Sequence, residues 1–135
     1  MPDAADPMAE NLTGLWHGQF EYPEKFPAEF FQASLVETPD YLGGSIQETL
    51  QHGKHAGRTF YATVSGRRSG SLVSFLKTYE SAPRVHIVHY LGTLNDDATE
   101  IEGTWSISAS WSGRFMMIRA SGLPAAVRIA AEQTI

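Results

Sequence analysis

From Gly14 onward, apolar and polar side chains alternate with a period of two, the pattern of strands that bury one face. Trp16, Gly18 and Phe20 alternate with His17 and Gln19. Tyr22-Pro23 and Phe26-Pro27 then close the run, because a proline cannot donate into a ladder. In a second strand Phe31, Ala33 and Leu35 alternate with Gln32 and Ser34 and stop before Thr38-Pro39-Asp40. A third runs from Leu42 to Leu50 with Gly44, Ile46 and Glu48 on one side, and His52 to Gly57 follows as a turn. The fourth, over 59–65, puts Phe60, Ala62 and Val64 on one face. Gly66-Arg67-Arg68-Ser69-Gly70 reads as a hairpin connection, with glycines for the positive φ angles of short loops.

The fifth strand, Ser71 to Tyr79, is ambiguous. Val73, Phe75, Lys77 and Tyr79 share one face, Leu72, Ser74, Leu76 and Thr78 the other, and both faces look partly covered. Ser81-Ala82-Pro83 turns into a sixth strand, Arg84 to Leu94, and Asn95-Asp96-Asp97 turns again. In the seventh, Glu100 to Ser108, the residues Ile101, Gly103, Trp105 and Ile107 alternate with small or charged ones, and the eighth is Gly113 to Ala120. Residues 1–11 lack any apolar period and read as a mobile tail ahead of one domain over 12–121. The alanine-rich extension over 122–135 fits either a short helix or an extra strand.

Eight short strands joined by connections too short for a crossover predict an all-β antiparallel meander. An open sheet of that kind leaves two unpaired edges, which closure into an eight-stranded up-and-down barrel removes. The barrel is therefore the expected fold, with a two-sheet β-sandwich as the alternative.

Composition narrows the chemistry. At 135 residues, 42% hydrophobic and 19% charged, the chain has room for one core. The absence of cysteine removes disulfides, thiolate metal sites and a cysteine nucleophile. No apolar run reaches the 18 or so residues of a membrane span, and the start MPDAADPMAE lacks a basic n-region and apolar h-region, so a cytoplasmic protein with no membrane partner is expected. Residues 1–50 carry nine acidic side chains against the single Lys25, whereas residues 51–95 carry six basic ones against Glu80. Those bases fall mostly at turns and lack interleaved aromatics, so nucleic-acid binding is not expected.

Gly14-Leu15-Trp16 on the first strand resembles the Gly-x-Trp element that opens the calycin superfamily of lipocalins, fatty-acid-binding proteins and avidins. In those barrels a basic residue from a late strand stacks over the first-strand tryptophan, and the resemblance assigns this closing role to Gly14, Trp16 and Arg119. The strand layout is most similar to the avidin branch. Phe75 and Lys77, then Tyr90 with Gly92, then Ile101 to Trp105, resemble its aromatic-bearing strands, and Trp111 stands for its last pocket aromatic. The polar half of the avidin pattern is not matched. His17-Gly18-Gln19 follows the first tryptophan and no terminal aspartate lies near Arg119, so biotin binding is not expected.

Candidate chemistry is sparse. His86 and His89 point to opposite faces of a strand, and His52 and His55 lie in a turn, so no metal site is expected. No Gly-x-Ser-x-Gly elbow occurs, and Asp96-Asp97 and Glu100 with Glu102 read as solvated groups; no catalytic constellation and no cofactor are expected. Glu48 and Lys77 follow apolar residues on the inner face and could form an interior ion pair or anchor a pocket. Their nearness to strand ends favours the other reading, in which their stems carry the charges out to water. The candidate pocket comprises Glu48, Phe75, Lys77, Tyr79, Tyr90, Trp105 and Trp111, although a small barrel must fill its interior with such aromatics in any case. Two functions follow. One is binding of a small apolar or aromatic ligand, acidic if it must neutralise Lys77. The other is a non-catalytic interaction or self-association module, a homo-oligomer included, with a filled interior. A void above about 300 Å³ separates them.

Overall fold

The computed structural model describes residues 11–23, 27–80 and 87–120. The expected N-terminal tail, His86 and the extension over 122–135 lie outside these residues, save Asn11 at the tail's end. The strands are β1 (Gly14–Phe20), β2 (Glu29–Thr38), β3 (Tyr41–Thr49), β4 (Thr59–Ser69), β5 (Leu72–Tyr79), β6 (Ile87–Leu94), β7 (Glu100–Ser108) and β8 (Trp111–Arg119). Each pairs antiparallel with the next, and β8 returns to β1 in unbroken register from Trp16↔Arg119 to Phe20↔Phe115. The result is a closed eight-stranded up-and-down barrel, and no sheet edge remains to make a sandwich.

Strict alternation resolves the ambiguity of β5: Val73, Phe75, Lys77 and Tyr79 are buried, while Leu72, Ser74, Leu76 and Thr78 are exposed. The expectation that both faces are partly covered is corrected, because only one face of a barrel strand meets the core. Other boundaries also shift. β4 continues to Ser69, and Gly66 is a strand residue, since a Cβ there would lie 2.1 Å from the Ser74 carbonyl oxygen. The positive φ of this hairpin falls on Gly70 alone, at 61°, in the two-residue turn Gly70-Ser71. β2 begins at Glu29, two residues before Phe31 and in phase with it.

One end of the barrel is sealed. The Trp16 indole N–H donates to the Leu12 carbonyl at 2.9 Å, and the Arg119 guanidinium carbon lies 4.7 Å from the Trp16 ring centroid. Arg119 also donates to the carbonyl oxygens of Asn11 (2.7 Å), Ala98 (2.9 Å) and Thr13 (3.3 Å). A cation held over an indole by three carbonyls joins β8 to the segment before β1 and to the β6–β7 loop. Beside it, Glu37 accepts from the Leu12 N–H at 2.9 Å and from Arg68 at 2.9 and 3.1 Å. Burial raises the Glu37 pKa, but the Arg68 and Leu12 bonds outweigh it and hold the carboxyl below its ordinary value.

Above this seal Leu35, Leu42, Val73, Ile101 and Met117 fill the interior. An aromatic layer follows. Phe75 and Tyr90, cross-strand partners on β5 and β6, stack at 4.8 Å with 7° between planes, and Phe115 meets Tyr90 edge-on at 4.8 Å. Glycines make room for such rings: a Cβ on Gly18 would stand 2.2 Å from the ring of its partner Phe31.

Candidate functional site

The site lies at the other end, where β1, β3, β5 and β7 finish. Glu48 and Lys77 are fully buried there. Lys77 Nζ donates to Glu48 Oε2 at 3.2 Å, and the Tyr79 hydroxyl donates to Glu48 Oε1 at 2.6 Å. The expectation that these charges reach solvent is corrected. Both side chains follow the inward phase of their strands, and β4 places the small Ala62 between them, opposite Ile46 and Tyr79.

The ammonium is also ringed by aromatic faces, 4.6 Å from the centroid of Tyr79, 4.8 Å from Phe20 and 5.2 Å from Tyr90. Burial by itself would lower the Lys77 pKa, but Tyr90, Glu48 and Tyr79 more than reverse this and hold it well above the ordinary lysine value. Burial raises both phenols, against the opposing pull of Lys77. Lys77 is therefore a charged ammonium and both tyrosines are neutral at physiological pH, with Tyr79 donating to Glu48, an arrangement unlike an activated lysine nucleophile.

Two cavities stand above this group. The inner one, about 120 Å³, is lined by Lys77, Tyr79, Val88, Tyr90, Trp105 and Ile107, among others. The outer, about 300 Å³, is bounded by Tyr22, Pro27, Glu29, Leu50, His52, Gly53 and Trp111. Tyr22 and Trp111 line both, their ring centroids 6.4 Å apart. Trp105 stands edge-on to Tyr22 at 6.1 Å, and its indole N–H donates to the Glu21 carbonyl at 2.9 Å. At the rim β7 carries a bulge: Ser106 opposes Ser112 and Ser108 opposes Trp111, so Ile107 is the extra residue and turns toward the inner cavity.

Of the residues singled out from sequence, Lys77, Tyr79, Tyr90 and Trp105 line the inner cavity, and Trp111 lies where the two meet. Glu48 acts from behind through Lys77 and Tyr79, whereas Phe75 is packed beneath Tyr90 and lines neither cavity. Gly14, Trp16 and Arg119 lie together at the sealed end. Sequence reading missed Tyr22, set aside as the residue before a proline, and Glu29. Its signal was available, since Glu29, Phe31, Ala33 and Leu35 keep one period-two phase.

Among the described residues no group of three His, Asp or Glu side chains could hold a metal ion, and no helix is long and apolar enough to cross a membrane. The chain matches no protein-family model. Comparison with curated proteins finds no significant match either.

Proposed function

We propose that this is a calycin-like barrel that binds a small, largely apolar or aromatic molecule at the end opposite Trp16 and Arg119. The observation that carries the reading is the pair of cavities joined at Tyr22 and Trp111, above an interior otherwise packed with side chains. A volume of about 300 Å³ stands at the lower limit of small-molecule sites, equal to roughly ten waters. The polar floor is already neutralised, because Glu48 supplies the anion that Lys77 requires. An acidic ligand thus loses its rationale, and a neutral aromatic body is the better complement. The Gly-x-Trp element and the stacked Arg119 support the calycin kinship, which carries with it a ligand carrier or sensor rather than an enzyme.

The test is calorimetric titration with neutral aromatics of about ten non-hydrogen atoms, such as 2-naphthol and indole, repeated on Trp111→Ala. Saturable binding that weakens in the variant supports the site. Failure of every such compound to bind sinks it.

A second reading rests on the outer face of β5 and β6. Leu72, Leu76, Ile87 and Leu91 are exposed there, and no outward position on either strand carries Asp, Glu, Lys or Arg. An exposed face with four large apolar side chains and no carboxylate, lysine or arginine suits self-association. Sedimentation equilibrium of the wild type beside Leu76→Lys/Leu91→Lys distinguishes it, since only a face-mediated oligomer would dissociate in the variant.

A further inference from the structure

We infer that the ligand of the two joined cavities is a hydrophobic amine, bound through its protonated nitrogen to Glu29; this rests on the ligand-binding reading above. Glu29 is the first inward residue of β2 and only 3% exposed, yet it lines the outer cavity. Its Oε1 accepts the Gln51 N–H at 2.8 Å, and among the described residues its carboxylate takes part in no ion pair. Lys77, the cation of the inner cavity, is committed to Glu48. A carboxylate removed from water with one backbone partner is under-compensated, and a cation from the ligand would restore the balance.

The remaining walls suit the same guest. Tyr22 and Trp111 present aromatic faces at the same cavity, and ring quadrupoles attract alkylammonium groups. His52 on the cavity wall accepts a hydrogen bond when neutral. Polarity along the cavity axis sets the orientation. At the inner end Lys77 already holds its counter-ion Glu48 and leaves no free anion for a second cation, so the amine stays at Glu29. The apolar body then lies between Tyr22 and Trp111 and points inward to Trp105, Val88 and Ile107.

Three probes that share one body and differ in the head group test this: 4-phenylbutylamine, 4-phenylbutanol and 4-phenylbutyrate, titrated calorimetrically at pH 7 into the full chain. The amine is expected to bind about tenfold more tightly than the alcohol, and the acid most weakly. Glu29→Gln retains an acceptor for the Gln51 N–H and should bring the amine down to the affinity of the alcohol, with alcohol binding unchanged. The comparison of head groups on the wild type needs no variant and holds even if Glu29→Gln fails to fold. Equal binding of amine and alcohol, or tighter binding of the acid, overturns the inference and leaves the ligand-binding reading standing. Binding by none of the three overturns both.

Discussion

Glu48 on β3 and Lys77 on β5 meet 3.2 Å apart across the intervening strand, and neither side chain reaches water. Their separation of 29 residues along the chain is bridged only because the barrel curves β3 and β5 toward a common interior. The pair therefore reports on closure as well as on local packing.

Breaking that pair should be costly. Lys77→Met leaves Glu48 buried without its counter-ion, and Glu48→Gln leaves a buried ammonium; each is expected to lose about 3–5 kcal/mol. Replacing both, as Glu48→Leu/Lys77→Met, should recover most of the loss, since a buried pair contributes little net stability over an apolar replacement. Urea unfolding of the three variants measures this, and strict additivity would contradict it.

Stability should fall as the solution becomes strongly alkaline. Lys77, Tyr79 and Tyr90 all have folded-state pKa values raised above their ordinary ones. Above pH about 10 the unfolded chain releases these protons while the folded chain retains them. The unfolded state then binds fewer protons, and unfolding free energy declines with rising pH. Denaturation midpoints should be level from pH 7 to 9 and drop beyond 10, more gently in Tyr79→Phe. A curve that rises there would contradict the burial of these groups.

At the sealed end Arg119→Ala should cost about 1–2 kcal/mol, through loss of the cation over Trp16 and of its three carbonyl contacts. Trp16→Ala, which removes a fully buried indole, should cost about 3–5 kcal/mol. Arg119→Lys keeps the charge but lacks the fork that reaches several carbonyls, so it should fall nearer to alanine than to wild type. Thermal and denaturant unfolding of the series gives the order.

The ring-over-glycine pairing yields a fourth expectation. Gly18→Ala drives a methyl into the Phe31 ring, and a loss of about 1–3 kcal/mol is expected. Gly18→Ala/Phe31→Leu should recover part of it. If the single substitution is neutral, the ring has another place to go.

The inward faces of the strands were legible because period-two alternation depends on local sequence alone, as Trp16-Gly18-Phe20 and Phe60-Ala62-Val64 show. Strand ends were less legible. Gly66 resembles a turn residue in sequence, and only the close approach of the Ser74 backbone marks it as a strand position. The site was half legible: Lys77, Tyr79, Tyr90, Trp105 and Trp111 were singled out, but the meeting of Glu48 with Lys77 is a property of register between strands. Glu29 escaped because an acidic residue ahead of an apolar run looks like a solvated strand end.

The return of β8 to β1 has a consequence for engineering. Arg119 reaches Asn11 at 2.7 Å, so the two ends of the barrel's eight-strand ring lie side by side at one pole. The Gly70-Ser71 turn emerges at that same pole. A circular permutant in which a short linker joins residue 120 to residue 11, and the chain is cut at this turn, would keep every strand neighbour. Its new termini would leave the molecule opposite the Tyr22–Trp111 rim, so the barrel could be tethered to a surface or fused to a reporter with its ligand entrance facing away.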